Sequence, residues 1–317
     1  MDIQLLFSGF LNTHLADTPP LLLGLSGGPD SMALFHLLME KRYPFEVAHI
    51  DHGWRMESKK EANYLAKLCE KTQVPFHLKH LEPTQEAKNL EDLGRRERLT
   101  FFKQIIHERS LQGILLAHHA DDHAETVLKR LFEGASLPKL KGLVPKTEVE
   151  GMTIYRPFLK IKKQQILNWL KENDFFYFID ATNEDPRFLR SRLRNDLIPT
   201  LSSQFGKEIS SNLCKLGEAA AELDLFLNEL AAPYLERICV NADSMTLDFS
   251  MEQPKSFFIW KVVLRYFFEH AGISLTSSLV ESILSHLYKG SCHKKLKIGT
   301  QIVEIHKKQI KLKKCEI

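Results

Sequence analysis

The sequence has little cysteine and none of the spacings that make cysteine useful. Its five cysteines, Cys69, Cys214, Cys239, Cys292 and Cys315, are odd in number and scattered, with no C-x-x-C pair. A disulfide framework, a zinc ribbon and an iron–sulfur cluster are thereby excluded as organising devices. No apolar run reaches the roughly 20 residues of a membrane-crossing helix. The N-terminus has no basic segment followed by an apolar core, so no secretory signal is expected. A reduced, cytoplasmic compartment without a membrane partner follows as the expectation. There is no internal repeat and no low-complexity segment. Strong net charge is missing too: 43 Lys+Arg stand against 40 Asp+Glu, a formal +3. That balance hides a basic end. From Lys289 onward come Lys294, Lys295, Lys297, Lys307, Lys308, Lys311, Lys313 and Lys314, opposed by Glu304 and Glu316 alone. Such an end suits a polyanion, or, on charge alone, a solvated face.

What is present is the composition of a soluble globular chain: 317 residues, 44% hydrophobic and 26% charged. The length suggests two domains. The first half alternates two periodicities. "LLLGL" (21–25), "FEVAHI" (45–50), "PFHLKH" (75–80) and "GILLAHH" (113–119) read as strands. Between them, 31–42, 57–72, 89–109 and 121–134 read as helices. Alternation with short connections predicts an α/β fold, a parallel doubly wound sheet with its ligand crevice at the carboxyl ends of the strands. Basic helices are expected over 160–174 and 186–201, then a linker near Ser202–Lys207. Two further helical patterns, near 255–271 and 276–289, lead to an alternating tail of two or three short strands. The expected division is a nucleotide-binding domain over 1–205 and a smaller, mostly helical domain over 206–317 that ends in a basic hairpin.

"GLSGGPDSMALFHLL" (24–38) looks like a phosphate-binding loop between strand and helix, yet no lysine follows its glycines. A Walker loop needs that lysine to reach the outer phosphates. Gly27 and Gly28 still permit a turn that gathers backbone N–H groups, Ser26 and Ser31 add hydroxyls, and Pro29 starts the helix. The helix end contributes positive potential, about 0.3–1 kcal/mol toward an anion. Asp30 is the anomaly. A carboxylate beside phosphates is repulsive unless a cation lies between them, which points to Mg²⁺.

"SGGPDS" resembles the S-G-G-x-D-S signature of the PP-loop, or N-type, ATP pyrophosphatases. That resemblance implies cleavage of ATP between the α- and β-phosphates, with the loop holding pyrophosphate. The Walker lysine is absent because the γ-phosphoryl group is not the one moved. A closer resemblance is to the tRNA(Ile)-lysidine synthetases. "HIDHGWR" (His49, Asp51, His52, Arg55) is similar to their H-x-D-H-x-x-R. "NLEDLGRRERLTFF" resembles their arginine helix, with Gly94 for the usual Ala and Leu99 for Tyr. "AHHADDHAETVLKRLFEG" resembles their H-H-x-D-D-Q-x-E-T segment, with His123 for Gln. "YRPFL" and "DATNEDPRFLRSRLRNDLIPTL" match later blocks, with Ser191 for Asn. The resemblance runs from residue 21 to about 201 and weakly includes the basic tail. It implies a C–N ligase that adenylates the wobble cytidine of an isoleucine tRNA with a CAU anticodon. Free L-lysine is then joined at C2, changing codon reading from AUG to AUA. ATP and Mg²⁺ are the implied cofactors, and a homodimer is left open.

The site residues follow. Asp122 and Glu125 share a helix face at i and i+3. With His118 and His119 at the preceding strand end, they fit either a metal site or a capped helix start. The resemblance implies that they help hold Mg²⁺ and the lysine amine, with Asp30 as third carboxylate. Asp30, Asp122 and Glu125 are therefore the expected catalytic residues, and Asp30 and Asp122 the expected metal ligands. Ser26, Gly27, Gly28, Pro29, Asp30, Ser31, His49, Asp51, His52, Arg55, Arg95, Arg98 and His118 are the expected ATP contacts. Arg190, Arg192 and Arg194, with Lys307, Lys308 and Lys311, are the expected tRNA contacts. The aromatic runs "FFYF" (175–178) and "FFIW" (257–260) are read as core packing rather than base-stacking surfaces. Two other classes stay open: another PP-loop enzyme such as a tRNA 2-thiolase, and a non-catalytic nucleotide- or RNA-binding module. The lack of C-x-x-C counts against the first. Three carboxylates near phosphates count against the second.

Overall fold

The computed structural model describes residues 2–15, 20–51, 53, 56–81, 90–179, 187–241, 243–251, 253–273, 275–290, 293–299 and 301–314. The chain forms two compact units, Met1–Ala221 and Glu222–Ile317.

The first unit is built on a six-stranded sheet of β1 (Leu21–Gly24), β2 (Phe45–Asp51), β3 (Phe76–His80), β4 (Ile114–Leu115), β5 (Lys146–Val149) and β6 (Met152–Tyr155). The order is β3-β2-β1-β4-β6-β5, parallel throughout except for the β5–β6 edge hairpin. Its helices are α1 (Ile3–His14), α2 (Pro29–Glu40), α3 (Met56–Thr72), α4 (Leu90–Glu108), α5 (Ala120–Phe132) and α6 (Lys163–Glu172). Side chains alternate across a strand, and β1 shows the consequence. Leu21 and Leu23 enter a core with Phe7, Phe35 and Ile166 on one face, while Leu22 packs with Phe102, Ile105 and Ile114 on the other. A continuous apolar run is thus a strand covered on both faces. α2 is apolar nearly all round for the same reason, with Met32, Leu34, Phe35, Leu37 and Leu38 all buried. The order reverses between β1 and β4, so the crevice lies where the loops after these two strands part.

Two expectations change in detail. The ladder of "GILLAHH" is only Ile114–Leu115 long, after which the chain peels away and His119 bridges Phe158 alone. The basic helix of 186–201 is not continuous: α7 (Leu189–Arg192) gives way to a π turn over Leu193–Leu197 and then to α8 (Ile198–Phe205). Pro199 accounts for this, since it lacks an N–H and its ring crowds the carbonyl four residues back. α8 runs through most of the expected linker and stops at Gly206, whose left-handed conformation (φ 58°) closes it. α9 (Ile209–Leu235) follows, and the division between the two units falls inside it.

The second unit contains more sheet than a terminal hairpin. β7 (Cys239–Asn241), β8 (Ser244–Asp248), β9 (Lys294–Ile298), β10 (Gln301–His306) and β11 (Gln309–Lys314) form an antiparallel sheet ordered β7-β8-β11-β10-β9. β7 and β8 are short, and β7 is exposed throughout, so neither carries a strong period-2 signal. Val303, Ile305, Ile310 and Leu312 turn inward against α10 (Phe257–His270) and α11 (Ser277–Tyr288), with Phe249, Trp260 and Phe267. The opposite face carries lysines. Lys311 and Lys295 flank Glu304, and Lys313 and Lys297 flank Ile302.

Candidate active site

The loop after β1 closes on itself through its two serines. Ser31 Oγ accepts from the Ser26 N–H (3.1 Å) and donates to the Gly28 carbonyl (3.1 Å), and the two hydroxyls lie 3.1 Å apart. Gly27 has φ 85°, and a Cβ there would also stand 3.0 Å from Phe178, so the turn requires glycine. Gly28 is the N-cap of α2 and no side chain caps that helix. Its first-turn amides are therefore available to an anion, as a phosphate cradle requires.

Across the crevice, α5 opens with a knot of charge. His119 is buried at its N-cap, with Nε2 3.4 Å from Asp122 and 3.9 Å from Asp30, and Nδ1 3.5 Å from Asp121. Burial disfavours its cation, but the surrounding carboxylates outweigh burial and raise its pKa. Asp122 caps the helix by accepting from the His119 N–H (3.0 Å). Burial works against the Asp121 carboxylate, but His119 and the Lys163 N–H (2.8 Å) hold it down at about 2.

Both expected catalytic carboxylates of α5 are held by one arginine. Arg194 Nε donates to Glu125 (2.6 Å) and its Nη2 to Asp122 (2.9 Å). Glu125 is 2% exposed, and burial raises its pKa against the pull of Arg194. Its second oxygen, Oε2, has no hydrogen-bond partner among the described residues. The expected tRNA contact Arg194 is thus turned onto carboxylates; it lies in the π turn, where the 3.6-residue spacing of a regular helix fails. Asp30 is held in the same way. Lys163 Nζ lies 2.6 and 2.7 Å from its two oxygens. Sequence reasoning missed Lys163 and left His119 without a role.

The remaining expected residues divide. His118 lies at the site; burial lowers its pKa to about 4, and the charges of Asp122, Arg156, Arg190 and Arg98 also act on it. Arg98 and Arg190 are thus close to the crevice. His49 is buried, with Nδ1 2.7 Å from the Leu25 carbonyl at the foot of the loop. Asp51 is also buried, accepting from the Gly53 N–H (2.9 Å) and lying 3.1 Å from His80 Nδ1. His52, Arg55 and the Arg95 side chain fall outside the described residues. Arg192 donates to the Arg187 carbonyl (3.1 Å). Lys307 and Lys308 form the β10–β11 turn, and Lys311 stands on the lysine face beside it. His123, the departure from Gln, is buried and accepts from the Leu143 N–H (3.1 Å). A Cβ on Gly217 would meet its Nε2 at 2.5 Å, so that helical glycine makes room for the ring. Of the aromatic runs, Phe175 and Tyr177 pack on the core, while Phe176, Phe257 and Phe258 are at least half exposed.

The donor set is hard oxygen: carboxylates and hydroxyls. Among the described residues no three His, Cys, Asp or Glu side chains form a metal cage. Carboxylates such as Asp30 and Asp122, completed by substrate phosphates, are the donor chemistry that Mg²⁺ takes. Two thiols are unsuited to chemistry, since burial pushes Cys69 up to about 12 and Cys214 to about 11. No helix among the described residues is long and apolar enough to cross a membrane.

Residues 3–201 match the family described as the PP-loop domain. The tRNA(Ile)-lysidine synthase of Chlamydia muridarum is 40% identical over 272 residues, covering 85% of this chain and 85% of that protein. The tRNA(Ile)-lysidine synthase of Chlamydia pneumoniae is 39% identical over 272 residues, 86% of this chain and 85% of its own. Among solved structures, a U34-tRNA thiolase from Methanococcus maripaludis superposes with a TM-score of 0.57 at 16% identity, covering 69% of this chain and 78% of that one. That likeness is one of fold.

Proposed function

The chain belongs to the PP-loop family and, within it, to the tRNA(Ile)-lysidine synthases, and from this membership we propose how its site works. It is an ATP-dependent ligase that joins lysine to C2 of a cytidine in an isoleucine tRNA, in the cytoplasm. The C2 oxygen of the base attacks the α-phosphorus and pyrophosphate leaves. The amine of lysine then attacks C2 and expels AMP. The base must be splayed from a single-stranded loop, because C2 is not reachable within a stack.

The uncapped start of α2 and the Ser26–Ser31 loop hold the phosphates. Asp30 and Asp122 are the residues that would hold Mg²⁺, which supplies charge neutralisation when bound with ATP. Asp122 and Glu125 hold the lysine amine. One observation carries this assignment: Glu125 Oε2 is buried and has no partner among the described residues, an acceptor left open for a donor from outside. The burial that raises its pKa also favours its taking a proton as the amine attacks. Thiolation chemistry draws no support from Cys69 or Cys214, whose thiols burial holds in the protonated form.

The test is incubation with isoleucine tRNA, ATP, Mg²⁺ and labelled lysine, followed by mass spectrometry of the nucleosides. Stoichiometric lysidine is expected. No lysine incorporation into any cytidine-bearing anticodon, at any lysine concentration, would end this assignment.

A further inference from the structure

The PP-loop has no lysine of its own, yet a lysine sits on it. Lys163 reaches Asp30 from 133 positions away and covers both carboxylate oxygens. Its backbone is pinned. The Lys163 N–H donates to Asp121, and Gln165 accepts from the Lys162 N–H (2.9 Å) to close the start of α6. The four-carbon stem is what remains free to move. The contrast with Arg194 is instructive. Arg194 is a rigid fork across two carboxylates, one of them 3% exposed at the side chain. Lys163 is a point charge on a flexible arm, with its side chain 31% exposed and Asp30 27%. A partly exposed pair of this kind is held weakly enough to exchange.

We propose that Lys163 is the phosphate lysine of this site, held on Asp30 until nucleotide arrives. While both oxygens of Asp30 carry the ammonium, the carboxylate cannot serve a metal. On nucleotide binding the ammonium leaves Asp30 and passes to the phosphate oxygens. In the adenylation step the bond from the α-phosphorus to the α,β-bridging oxygen breaks. Its electron pair stays on pyrophosphate, and a new P–O bond forms to the cytidine oxygen. The charge that grows on the departing pyrophosphate is what an adjacent ammonium stabilises. This inference rests on the assignment of the PP-loop as the holder of pyrophosphate.

The experiment uses the full chain, with Mn²⁺ alone as one probe and pyrophosphate in the presence of Mn²⁺ as the other. Binding is read by electron paramagnetic resonance and by calorimetry. In Lys163→Met, Mn²⁺ alone should bind more tightly, because Asp30 is uncovered. Pyrophosphate should bind about 10- to 150-fold more weakly, the loss expected for a charge-assisted hydrogen bond. Lys163→Arg, which keeps the charge, should restore pyrophosphate binding to within about tenfold. A lysine that merely braced the fold would weaken both affinities together. Unchanged affinities, or a joint loss of both, overturn the proposal. If the unmutated protein binds no pyrophosphate at all, the assignment of the loop falls with it. Normal pyrophosphate binding that is insensitive to Lys163→Met leaves that assignment standing and removes Lys163 alone.

Discussion

Carboxylates meet cations in two places in this molecule, and the two meetings differ in kind. In the crevice of the first unit, Arg194 grips buried Glu125 and part-buried Asp122 while Lys163 covers Asp30. On the sheet of the second unit, Glu304 lies between Lys295 (3.1 Å) and Lys313 (2.8 Å), whose side chains are 70% and 41% exposed. Water and salt screen the second arrangement, and such pairs contribute little to stability. In the first, removing Arg194 would strand the desolvated charge of Glu125, which is costly. The buried arrangement fixes geometry for chemistry. The exposed one presents a field, which suits a polyanion that must bind and leave. Substitutions in the two places should therefore fail differently.

The largest effect is expected at Asp30. Asp30→Ala removes the proposed charge contact at the phosphates from a partly exposed loop position, so the fold should persist. Pyrophosphate release in the presence of tRNA should fall by at least ~10²-fold, the order seen when one transition-state electrostatic contact is lost. Near-normal release would remove Asp30 from the chemistry.

Glu125 comes next and should separate the two steps. Glu125→Gln should still release pyrophosphate but transfer lysine poorly, by about 10- to 150-fold for one charge-assisted contact. Adenylated tRNA should accumulate, and raised lysine should recover part of the loss. Single-turnover kinetics with labelled ATP and labelled lysine decide it. Equal loss in both steps would place Glu125 on the phosphates instead.

Acid titration should tell the buried cluster from the exposed one. The Asp121 carboxylate is held down at about 2 in the folded state, below its ordinary 3.8. Its contribution to stability is therefore full above pH 4 and is lost as pH falls from about 4 toward 2. Glu304 is also lowered, by Lys313 and Lys295, but at an exposed site. Thermal melts over this range at low and high salt should show an acid loss that salt does not remove, and Asp121→Asn should flatten it. If salt alone abolishes the loss, surface pairs such as that of Glu304 account for it.

Much of this was legible in the sequence, for reasons that can be named. The apolar runs of β1 and β2 declare buried strands, and S-G-G-P-D-S declares the loop, because both are local patterns. Helical spacing puts Asp122 and Glu125 on one face of α5, and one arginine reaches both. What stayed hidden depended on the fold as a whole. Nothing near Lys163 in the chain says that it will meet Asp30. Arg194 reads from the sequence as a tRNA contact on a regular basic helix, whereas Pro199 opens a π turn that alters the spacing. β7 and β8 were too short and too polar to see, yet they complete the sheet that displays the lysines.

The smallest effects are expected on that sheet, and they carry a sign. Lys297 and Lys311 point to the open face and have no described ion pair, while Lys295 and Lys313 are partly spent on Glu304. Each phosphate contact adds about 0.7–0.9 to the salt slope of log affinity. Replacing Lys297 and Lys311 with Gln should weaken tRNA binding and flatten the slope by roughly 1.4–1.8, the sum for two contacts, with ATP affinity unchanged. Glu304→Gln should do the reverse, releasing Lys295 and Lys313 to the phosphates, so that binding tightens and the slope steepens. Replacing Lys307 and Lys308 tests whether the β10–β11 turn takes part or only the face beside it. Filter binding of tRNA over a range of salt concentrations measures all three. If the slope stays the same in every variant, the lysine face is solvated surface, and the tRNA is held wholly by the first unit.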